Sequence, residues 1–501
     1  MTEERKNINS IPEIMRNAIQ GYPERIALIG QRGRYTYKQL ACMIAAGMNI
    51  ISGCMPSNSH RIALIGDNDP AYIMAYFAAQ FLGLSTVEVG RNESLETLID
   101  IVDKTESGFV VTDREDLMTA FRHKVHVKSF DEFIALCEAS CAEDHDLLNM
   151  ANFQGNQREA SIIFTSGTTG IPKGVILSHK NFCFIVSRVV EYLKLKEEDR
   201  YALMLPLCHT YGKIVALTSF AAGASLIFAE NFTKLPTFMT LIAEQKCTIM
   251  SCVPYHAHVM LKWGNLSKFD LSSLRAVTFS GNKLPPATID VLIESLNETE
   301  IFSMYGLTES TTRACFVPPK MLAQKKESCG KPLSGVEIKI VSENGKESAF
   351  GEVGEVWLRG ANVMQGYFGD AEMSKKTLSG GWLKTGDLGQ LDEDGFLYLK
   401  GRLKDIIKCA GERISSMEVE DALRRHPGVL EVAVKGTSDS LLGEVVHAFI
   451  VPVDNTLQEG ELRTFCATQL SHHKMPRRYT FVEELKKTAT GKVKKHFLKG
   501  E

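Results

Sequence analysis

The sequence lacks several features that would assign a chain of this size to other protein classes. No stretch of its 501 residues approaches the run of about 18 apolar residues that a membrane-spanning helix needs. Residues 1–10, MTEERKNINS, are charged and polar and do not resemble a secretory signal. The net charge of −3 argues against a general nucleic-acid-binding protein, because such a protein needs a basic surface. Internal repeats, low-complexity tracts and long Ser/Gly linkers are absent as well.

Cysteine pairs with metal-ligand or redox spacing are also lacking. The twelve cysteines are scattered along the chain, and none forms C-x-x-C. The simplest interpretation is a set of reduced thiols in a cytoplasmic protein, and a disulfide framework or a zinc site is the less favoured alternative. Hydrophobic residues make up 44% and charged residues 23%, which is ordinary for a globular protein with a sizeable core. We therefore expect a soluble, cytoplasmic protein of the size of an enzyme.

Strand-like and helix-like segments alternate through the first part of the chain. RIALIGDN (61–68) predicts a short buried strand and turn, and PAYIMAYFAAQFLGL (70–84) predicts a helix after it. The strand-and-turn pattern recurs in GFVVTD, YALMLPL, ASLIFAE and LRAVTFSG, with helical segments between them. This alternation indicates an α/β fold with largely parallel sheets that are covered by helices.

The pattern changes after about residue 330. VEIKIV, GEVGEVWLRG and GQLDEDGFLYLKG are short strand-like runs bounded by turn residues, which favours a β-barrel-like region over 330–402. The remaining segment contains one helix-like run, SSMEVEDALRRH, and the strand-like runs VLEVAVKG and HAFIVPV. We therefore predict a large N-terminal domain over 1–402 and a small α+β C-terminal domain over 403–501.

One loop is unusually rich in glycine and hydroxyl residues. FTSGTTGIPKG (164–174) follows an apolar SII and contains a single cation, Lys173. Glycines and hydroxyls leave N–H and O–H donors open to an oxyanion, and a lysine adds a charge suited to phosphate. Taken alone, such a cluster is more often a solvated turn. The Walker pattern G-x-x-x-x-G-K-[ST] is not met, because Lys173 follows Pro172 and precedes Gly174, so a P-loop NTPase is disfavoured.

Four motifs in a fixed order favour a phosphate-binding role for this loop. TSGTTGIPKG (165–174) resembles the phosphate loop of the adenylate-forming superfamily, which includes acyl- and aryl-CoA synthetases, stand-alone nonribosomal-peptide-type adenylation domains and firefly luciferase. MYGLTES (304–310), WLKTGDLGQLDEDGFLYLKGRLKDIIKCAGERI (382–414) and KTATGKVKKHFL (487–498) are similar to its later motifs. The resemblance covers essentially the whole chain. It implies a large N-terminal domain of two β-sheets with packed helices and a distorted β-barrel, followed by a small mobile α+β domain.

The resemblance implies a reaction in two halves. A carboxylate attacks the α-phosphorus of ATP and expels pyrophosphate, which leaves an acyl adenylate. A thiol then takes the acyl group and releases AMP; this thiol is either coenzyme A or the phosphopantetheine of a separate carrier protein. Because two anions meet in the first half, the site needs cations and donors where charge accumulates. ATP, Mg²⁺ and a thiol acceptor are thus implied, together with a small carboxylic acid as substrate.

The resemblance also implies roles for residues at matching positions. The expected phosphate-binding residues are Thr165, Ser166, Gly167, Thr168, Thr169, Gly170 and Lys173. Thr308 is expected to donate to the α-phosphate and Glu309 to bind Mg²⁺, a hard cation that prefers carboxylate oxygens. The expected adenine- and ribose-binding residues are Ser280, Gly281, Asn282, Lys283, Tyr305, Gly306, Asp387 and Arg402. The carboxylate of Asp387 accepts hydrogen bonds only, which suits two ribose hydroxyls.

A lysine near the end of the sequence has the most specific implied role. Lys492 in TGKV would bridge the incoming carboxylate and the α-phosphate, and it joins Thr308, Glu309 and Lys173 as a predicted catalytic residue. Without the resemblance, it would be read as a solvated charge. Because it lies so far along the chain, the C-terminal domain is expected to rotate between the half-reactions about a hinge at Lys404. Gly411 would then leave room for the pantetheine arm.

The segment LPLCHTYG (205–212) resembles the acyl pocket of the superfamily. His209, Tyr211 and Ser303 are the predicted pocket residues, although a structural core histidine is an equal alternative for His209. The segment has no acid to pair with a substrate ammonium, so an α-amino acid is disfavoured. Thr210 stands where activators of 2-hydroxybenzoates tend to carry Asn, which disfavours that substrate. The identity of the acid stays open.

Two other functions are alternatives to a ligase. A luciferase-type oxygenase would use the same acyl adenylate but intercept it with O₂. A non-enzymatic nucleotide sensor would be expected to lack catalytic groups, whereas Lys173, Glu309 and Lys492 are all present. A thioester-forming ligase is therefore the leading prediction, with coenzyme A or a carrier protein as the acceptor.

Overall fold

The computed structural model describes residues 8–141, 157–165, 172–229, 235–263, 266–296, 298–454, 456–487 and 493–498. The chain forms two compact units. The first unit comprises Met1–Lys326, Pro332–Val336 and Arg359–Leu378, and the second comprises Glu327–Lys331, Glu337–Leu358 and Ser379–Glu501. The predicted domain boundary between residues 402 and 403 stays a prediction.

The helices lie mainly in the first unit. Their bounds are α1 (Ile11–Gly21), α2 (Tyr37–Cys54), α3 (Pro70–Phe81), α4 (Leu95–Lys104), α5 (Glu115–Phe121), α6 (Phe130–Ser140), α7 (His179–Tyr192), α8 (Thr210–Ala222), α9 (Leu235–Glu244), α10 (Pro254–Trp263), α11 (Pro286–Ser295), α12 (Ala371–Thr377), α13 (Ser416–Leu423) and α14 (Glu459–Gln469).

The strands alternate with these helices up to residue 305 and follow one another more closely afterwards. The strands in the first part are β1 (Ile26–Gly30), β2 (Gly33–Thr36), β3 (Arg61–Ile65), β4 (Ser85–Val89), β5 (Phe109–Thr112), β6 (His126–Ser129), β7 (Glu159–Thr165), β8 (Lys173–Ser178), β9 (Arg200–Leu203), β10 (Ser225–Phe228), β11 (Ile249–Cys252), β12 (Ala276–Phe279) and β13 (Glu300–Tyr305). The later strands are β14 (Cys315–Val317), β15 (Lys331–Pro332), β16 (Val336–Val341), β17 (Gly354–Gly360), β18 (Gly366–Tyr367), β19 (Leu378–Ser379), β20 (Trp382–Leu391), β21 (Leu397–Arg402), β22 (Ile406–Cys409), β23 (Glu412–Ser415), β24 (Val429–Asp439), β25 (Gly443–Pro452) and β26 (Arg478–Phe481).

The first unit contains two largely parallel sheets. One sheet has the order β18-β8-β7-β4-β3-β5-β6, in which β7 to β6 are parallel and β8 and β18 are added antiparallel at one edge. The other runs β14-β13-β12-β11-β9-β10-β1-β2, with antiparallel pairs at its two ends. The parallel strands are short and almost fully buried, as expected for strands that helices cover on both faces.

The helix α3 illustrates why these segments fold as they do. Asp69 caps its N-terminus by accepting from the Ala71 amide at 2.7 Å, and Pro70 occupies the first turn, where its missing N–H costs nothing. Every residue from Pro70 to Gln80 is buried. A helix that is apolar all round belongs inside a protein, and this one packs against α2, α6 and the strands β3 and β4.

The second unit contains two mixed or antiparallel sheets. Strands β16, β17, β20 and β19 form one sheet, with β21 paired to β20. Strands β23, β22, β25 and β24 form the other, with β26 added parallel to β25. The latter sheet packs with α13 and α14 around a buried cluster that includes Ile414, Val419, Val434 and Leu462. The predicted α/β fold with a barrel-like region and a C-terminal α+β part is confirmed.

The cysteine prediction was wrong for one pair. Cys42 on α2 and Cys141 after α6 form a disulfide, with their Cα atoms 5.5 Å apart. Contact between α2 and α6 brings the two residues together across 99 positions of sequence, a proximity that spacing alone does not reveal. The other ten cysteines are not disulfide-bonded. Within the ranges described above, every helix is too short or too polar to cross a membrane.

Candidate functional site

The loop predicted to bind phosphate connects the antiparallel strands β7 and β8. Thr165 at the end of β7 lies opposite Lys173 at the start of β8, and its hydroxyl donates to the Lys173 carbonyl at 3.5 Å. Both residues are half-buried. The remaining predicted loop residues lie outside the described residues; they are Ser166, Gly167, Thr168, Thr169 and Gly170. The hairpin register therefore fixes where the loop leaves and rejoins the sheet.

Lys173 and Glu309 both lie beside Tyr367, a residue that the sequence did not single out. Tyr367 is in β18, which pairs with β8 so that Tyr367 is opposite Val175. Its hydroxyl donates to Glu309 Oε1 at 2.8 Å, and its ring centroid lies 5.6 Å from Lys173 Nζ. Burial and the negative charge of Glu309 raise the pKa of Tyr367, so the phenol keeps its proton and remains a donor. A carboxylate and an ammonium thus flank one aromatic ring beside the loop that is predicted to bind phosphate.

The YGLTES motif forms a tight turn directly after β13. A Cβ atom on Gly306 would lie 2.1 Å from the carbonyl oxygen of Thr312, so only glycine fits there. Thr308–Ser310 form a single 3₁₀ turn, and the half-buried side chains of Thr308 and Glu309 come from it. The Glu309 carbonyl accepts from the Met364 amide at 2.9 Å. This bond ties the turn to the segment that carries Tyr367.

The backbone after this turn is held in an unusual conformation. Thr311 and Thr312 have φ angles of 51° and 67°, which is the left-handed region that β-branched residues rarely adopt. Asn362 stabilises the turn, because its side-chain amide donates to the carbonyls of Ser310 at 3.3 Å and Arg313 at 3.0 Å. Thr311 Oγ1 in turn donates to the Asn362 carbonyl at 2.7 Å.

The parallel strands β12 and β13 end at the same edge of their sheet, where α/β proteins commonly bind ligands. Residues after β12 are the buried Ser280, the exposed Gly281 and Asn282, and the half-buried Lys283. Ser303 and Tyr305 belong to β13, and Ser303 lies opposite Phe279. The structure therefore brings the predicted adenine-side residues of the first unit together at one sheet edge.

The predicted ribose-binding residues form an ion pair in the second unit. Asp387 on β20 is opposite Arg402 on β21, and Arg402 Nε lies 2.8 Å from Asp387 Oδ1. The Asp387 side chain is only 4% exposed. Thr385 closes the local turn by accepting from the Asp387 amide at 3.0 Å and donating to the Val356 carbonyl at 2.7 Å. The pair holds the carboxylate in a fixed orientation.

The predicted acyl-pocket residues lie at the start of α8. His209 is the residue preceding the helix and is half-buried. Burial lowers the pKa of His209, against the opposing charge of Glu88, so the imidazole is neutral at pH 7. Tyr211 is buried, and its hydroxyl lies 2.8 Å from Thr278 Oγ1 and 3.0 Å from the Thr278 carbonyl. The Tyr211 ring faces the guanidinium of Arg313, whose Cζ lies 4.8 Å from the ring centroid.

The predicted hinge and pantetheine residues lie near the start of the C-terminal sheet. Lys404 is exposed in the 3₁₀ turn Leu403–Asp405. Ala410 and Gly411 connect β22 to β23, and their φ angles of 50° and 84° are both positive. Two-residue hairpins favour this conformation, so the turn itself explains a glycine at 411. Lys492 lies outside the described residues.

A buried ion pair near the predicted acyl segment was also missed. Lys213 on α8 and Glu88 on β4 are 1% and 0% exposed, and Lys213 Nζ lies 2.8 Å from Glu88 Oε2. Three hydroxyls also donate to the Glu88 carboxylate, namely Tyr72 at 3.0 Å, Thr86 at 2.9 Å and Ser161 at 3.0 Å. Glu88 lies in the otherwise uncharged segment STVEV, and Lys213 begins the apolar segment KIVAL. A charged residue in such a segment indicates a buried charge that needs a partner, and this was the sequence evidence for the pair.

Comparisons with known proteins agree with this geometry. A family model described as "AMP-binding enzyme" matches residues 15–368, and one described as "AMP-binding enzyme C-terminal domain" matches residues 418–492. A 2-succinylbenzoate–CoA ligase from Bacillus subtilis (strain 168) is 29% identical over 489 residues, which cover 97% of each chain. An indoleacetate–CoA ligase from Aromatoleum aromaticum is 31% identical over 481 residues, which cover 92% of each chain.

Solved structures give the same assignment. The O-succinylbenzoate coenzyme A synthetase from Bacillus subtilis in complex with ATP and magnesium ion superposes with a TM-score of 0.85 at 28% identity, covering 97% of this chain and 98% of that one. An anthranilate CoA ligase in complex with anthranoyl-AMP gives a TM-score of 0.89 at 26% identity, covering 97% and 96%. The prediction of an adenylate-forming ligase is confirmed at this level, and the chain belongs to the AMP-binding enzyme family.

Proposed function

We propose that this chain is an AMP-forming acyl-CoA ligase. It activates a carboxylic acid with ATP to an acyl adenylate and pyrophosphate, and then transfers the acyl group to coenzyme A with release of AMP. One observation carries the proposal: Lys173, Glu309 and Tyr367 lie together beside the glycine- and hydroxyl-rich loop. A cation and a metal-binding carboxylate next to such a loop suit a triphosphate whose charge must be neutralised.

The phosphate side of the site is assigned as follows. Lys173 would contact the β- and γ-phosphates, together with the loop residues that precede it. Thr308, which projects from the 3₁₀ turn, would donate to the α-phosphate. Contact between β8, which begins at Lys173, and the 3₁₀ turn that carries Thr308 supports both assignments.

Glu309 fits the requirements of a magnesium ligand. Its carboxylate is oriented by the Tyr367 hydroxyl through Oε1. Within the described ranges, no three His, Cys, Asp or Glu side chains come close enough to hold a metal by themselves. Mg²⁺ is commonly held by one or two carboxylates together with substrate phosphates and water, so a single carboxylate here is sufficient. When bound, the ion would neutralise charge on the phosphate oxygens.

The nucleoside would be recognised by the residues that the sequence motifs predict. Tyr305 and the Ser280–Lys283 turn would contact adenine at the strand edge, with Gly306 permitting the tight turn beside it. Asp387 would accept hydrogen bonds from the ribose hydroxyls. Its ion pair with Arg402 fixes the orientation of the carboxylate, which supports this assignment.

The acid and the thiol would enter separately. The acyl pocket would be lined by His209, Tyr211 and Ser303. Because burial lowers the pKa of His209, its neutral imidazole would not form an ion pair with the substrate carboxylate. Lys492 would bridge the attacking carboxylate and the α-phosphate in the first half-reaction. Rotation about Lys404 would then withdraw Lys492 and open a channel beside Gly411 to the pantetheine arm.

Coenzyme A is favoured over the other acceptors. The curated relatives that match nearly end to end include 2-succinylbenzoate–CoA and indoleacetate–CoA ligases. Incubation of the pre-formed adenylate with coenzyme A, with a holo-carrier protein or with O₂ separates the three possibilities. We expect an acyl-CoA by mass spectrometry, and a product acylated only on the carrier, or light emission without a thioester, would contradict the choice of coenzyme A.

The activity itself is tested by pyrophosphate release without a thiol. A panel of carboxylic acids, including 2-succinylbenzoate, indoleacetate, fatty acids and aryl-propenoic acids, is incubated with ATP and Mg²⁺. We expect at least one acid to give pyrophosphate and enzyme-bound acyl adenylate. ADP formation, or acid-independent hydrolysis of ATP as the only reaction, would refute the proposal.

A further inference from the structure

Arg313 is a buried cation that none of the assigned roles uses. It follows the strained Thr311–Thr312 backbone, and it is 1% exposed. Its carbonyl is fixed by the Asn362 side chain at 3.0 Å. The backbone that carries Arg313 is thus held in one conformation by the same segment that positions Tyr367.

The guanidinium is surrounded by aromatic and sulfur groups. It lies over the Tyr211 ring, and Nη1 contacts Met304 Sδ. Tyr192 also donates to Met304 Sδ, at 3.3 Å, and its ring stacks on Phe316 with centroids 4.5 Å apart. Nε and Nη2 have no hydrogen-bond partner in the part of the chain that the structure describes. Across those same residues, the guanidinium has no carboxylate partner.

The charge of the buried guanidinium favours an anionic ligand beside it. An arginine cannot shed its charge inside a protein, so burial leaves a cation that needs an anion. Lys213 on α8, which is as deeply buried as Arg313, has that anion in Glu88. A ring face and a thioether attract a cation more weakly than an ion pair does. Among the residues that the structure describes, Lys213 therefore has a counter-ion and Arg313 has none.

The positions of the unpartnered atoms indicate the kind of anion. Nε and Nη2 form one edge of the guanidinium plane, with parallel N–H bonds that match the two oxygens of a carboxylate. Tyr211, which packs on the guanidinium, is a predicted residue of the acyl pocket. An apolar acid would leave the charge unpaired, and a substrate ammonium would be repelled.

We infer that Arg313 binds a second carboxylate on the acid substrate, so that the enzyme selects dicarboxylic acids and activates the carboxylate that Arg313 does not hold. This inference rests on the proposed function and narrows its substrate class. Arg313 is a specificity-determining residue in this scheme, because it contacts the part of the substrate that does not react.

Symmetric dicarboxylic acids test the inference directly, because either end can react and the monomethyl ester removes only the second charge. Aliphatic and aromatic diacids are each compared with their monomethyl esters by pyrophosphate release. For the best diacid, we expect kcat/KM at least 100-fold above that of its ester, equivalent to about 2.7 kcal/mol. Pyrophosphate from esters and simple monoacids as readily as from diacids would overturn the role of Arg313 but leave the proposed function intact. No acid-dependent pyrophosphate from any compound would refute both.

Substitution of the arginine separates a recognition role from a structural one. Arg313→Met should lower kcat/KM for the diacid at least 100-fold, change that for the ester less than threefold, and leave the melting temperature equal or higher, because an unpaired buried charge is removed. Arg313→Gln gives the same test should the Met variant not fold. Arg188→Met, which breaks the half-exposed Arg188–Glu191 pair on α7, is the control and should keep the diacid-to-ester ratio. Equal losses for both substrates together with a lower melting temperature would show that Arg313 is structural, against the inference.

Discussion

The hydrogen bond between Tyr367 and Glu309 offers a sharp test of the proposed metal site. Tyr367→Phe removes one hydroxyl and leaves the ring beneath Lys173 and the backbone pairing of β18 with β8 in place. The lost bond is 2.8 Å long and joins a neutral donor to a carboxylate. Such bonds contribute about 1.5–3 kcal/mol, which corresponds to a roughly 10- to 150-fold change in kcat/KM for Mg²⁺–ATP.

The assay is pyrophosphate release at a saturating acid concentration, with Mg²⁺ and ATP varied independently. We expect a lower kcat/KM for Mg²⁺–ATP and a higher Mg²⁺ concentration for half-maximal rate, because Glu309 is no longer oriented toward the metal. Tyr398→Phe is a matched control: its hydroxyl donates to Asp392 at 3.0 Å, and neither residue has a proposed role in the site. An unchanged Mg²⁺ dependence in Tyr367→Phe, or an equal change in Tyr398→Phe, would refute the assignment of Glu309.

Three further predictions follow from buried charges and from the proposed domain movement. Lys213→Met leaves Glu88 charged and unpaired, so the free energy of unfolding in denaturant should fall by about 3–5 kcal/mol and partly recover in the double variant with Glu88→Gln; a loss below about 1 kcal/mol would contradict the pairing. Burial lowers the pKa of His179 to about 3, below the value of about 6.5 in the unfolded chain. The unfolded chain therefore binds the proton first, and the free energy of unfolding falls as the pH drops from about 6.5 toward 3, by about 2.7 kcal/mol at pH 4.5. His179→Asn should reduce the pH dependence of the free energy of unfolding by that amount. An unchanged pH dependence would be inconsistent with a neutral buried imidazole. Lys492→Ala should abolish ATP–pyrophosphate exchange yet keep thioester formation from pre-formed adenylate, whereas Lys404→Pro should impair the second step more than the first; equal losses in both half-reactions would count against rotation.

The fold was accessible from sequence because its signals are local. Alternating strands and helices, such as RIALIGDN followed by PAYIMAYFAAQFLGL, identify β3 and α3 without any knowledge of their neighbours. The cross-strand pair of Asp387 and Arg402 could be predicted from the sequence only in part. Both residues were predicted to lie near the ribose, but their ion pair depends on the register of β20 and β21, which a motif does not encode.

The contacts that complete the site are long-range, and the sequence alone did not reveal them. Tyr367 lies 58 positions from Glu309, and Asn362 lies 49 positions from Arg313. No periodicity links such positions, because contacts such as the bond from the Met364 amide to the Glu309 carbonyl form only in the folded chain. Arg313 was overlooked for a different reason: a charged residue after YGLTES is ordinary on a surface, and only its burial makes it unusual.

The most direct test of the central claim follows oxygen atoms from the acid. An acid substrate labelled with ¹⁸O in its carboxylate is incubated with the enzyme, ATP, Mg²⁺ and coenzyme A, and the mass of the nucleotide product is measured by mass spectrometry. Attack of the carboxylate on the α-phosphorus predicts AMP that carries one ¹⁸O from the acid, formed in equal amount to the thioester. Unlabelled AMP, or label recovered in inorganic phosphate alongside ADP, would contradict the account.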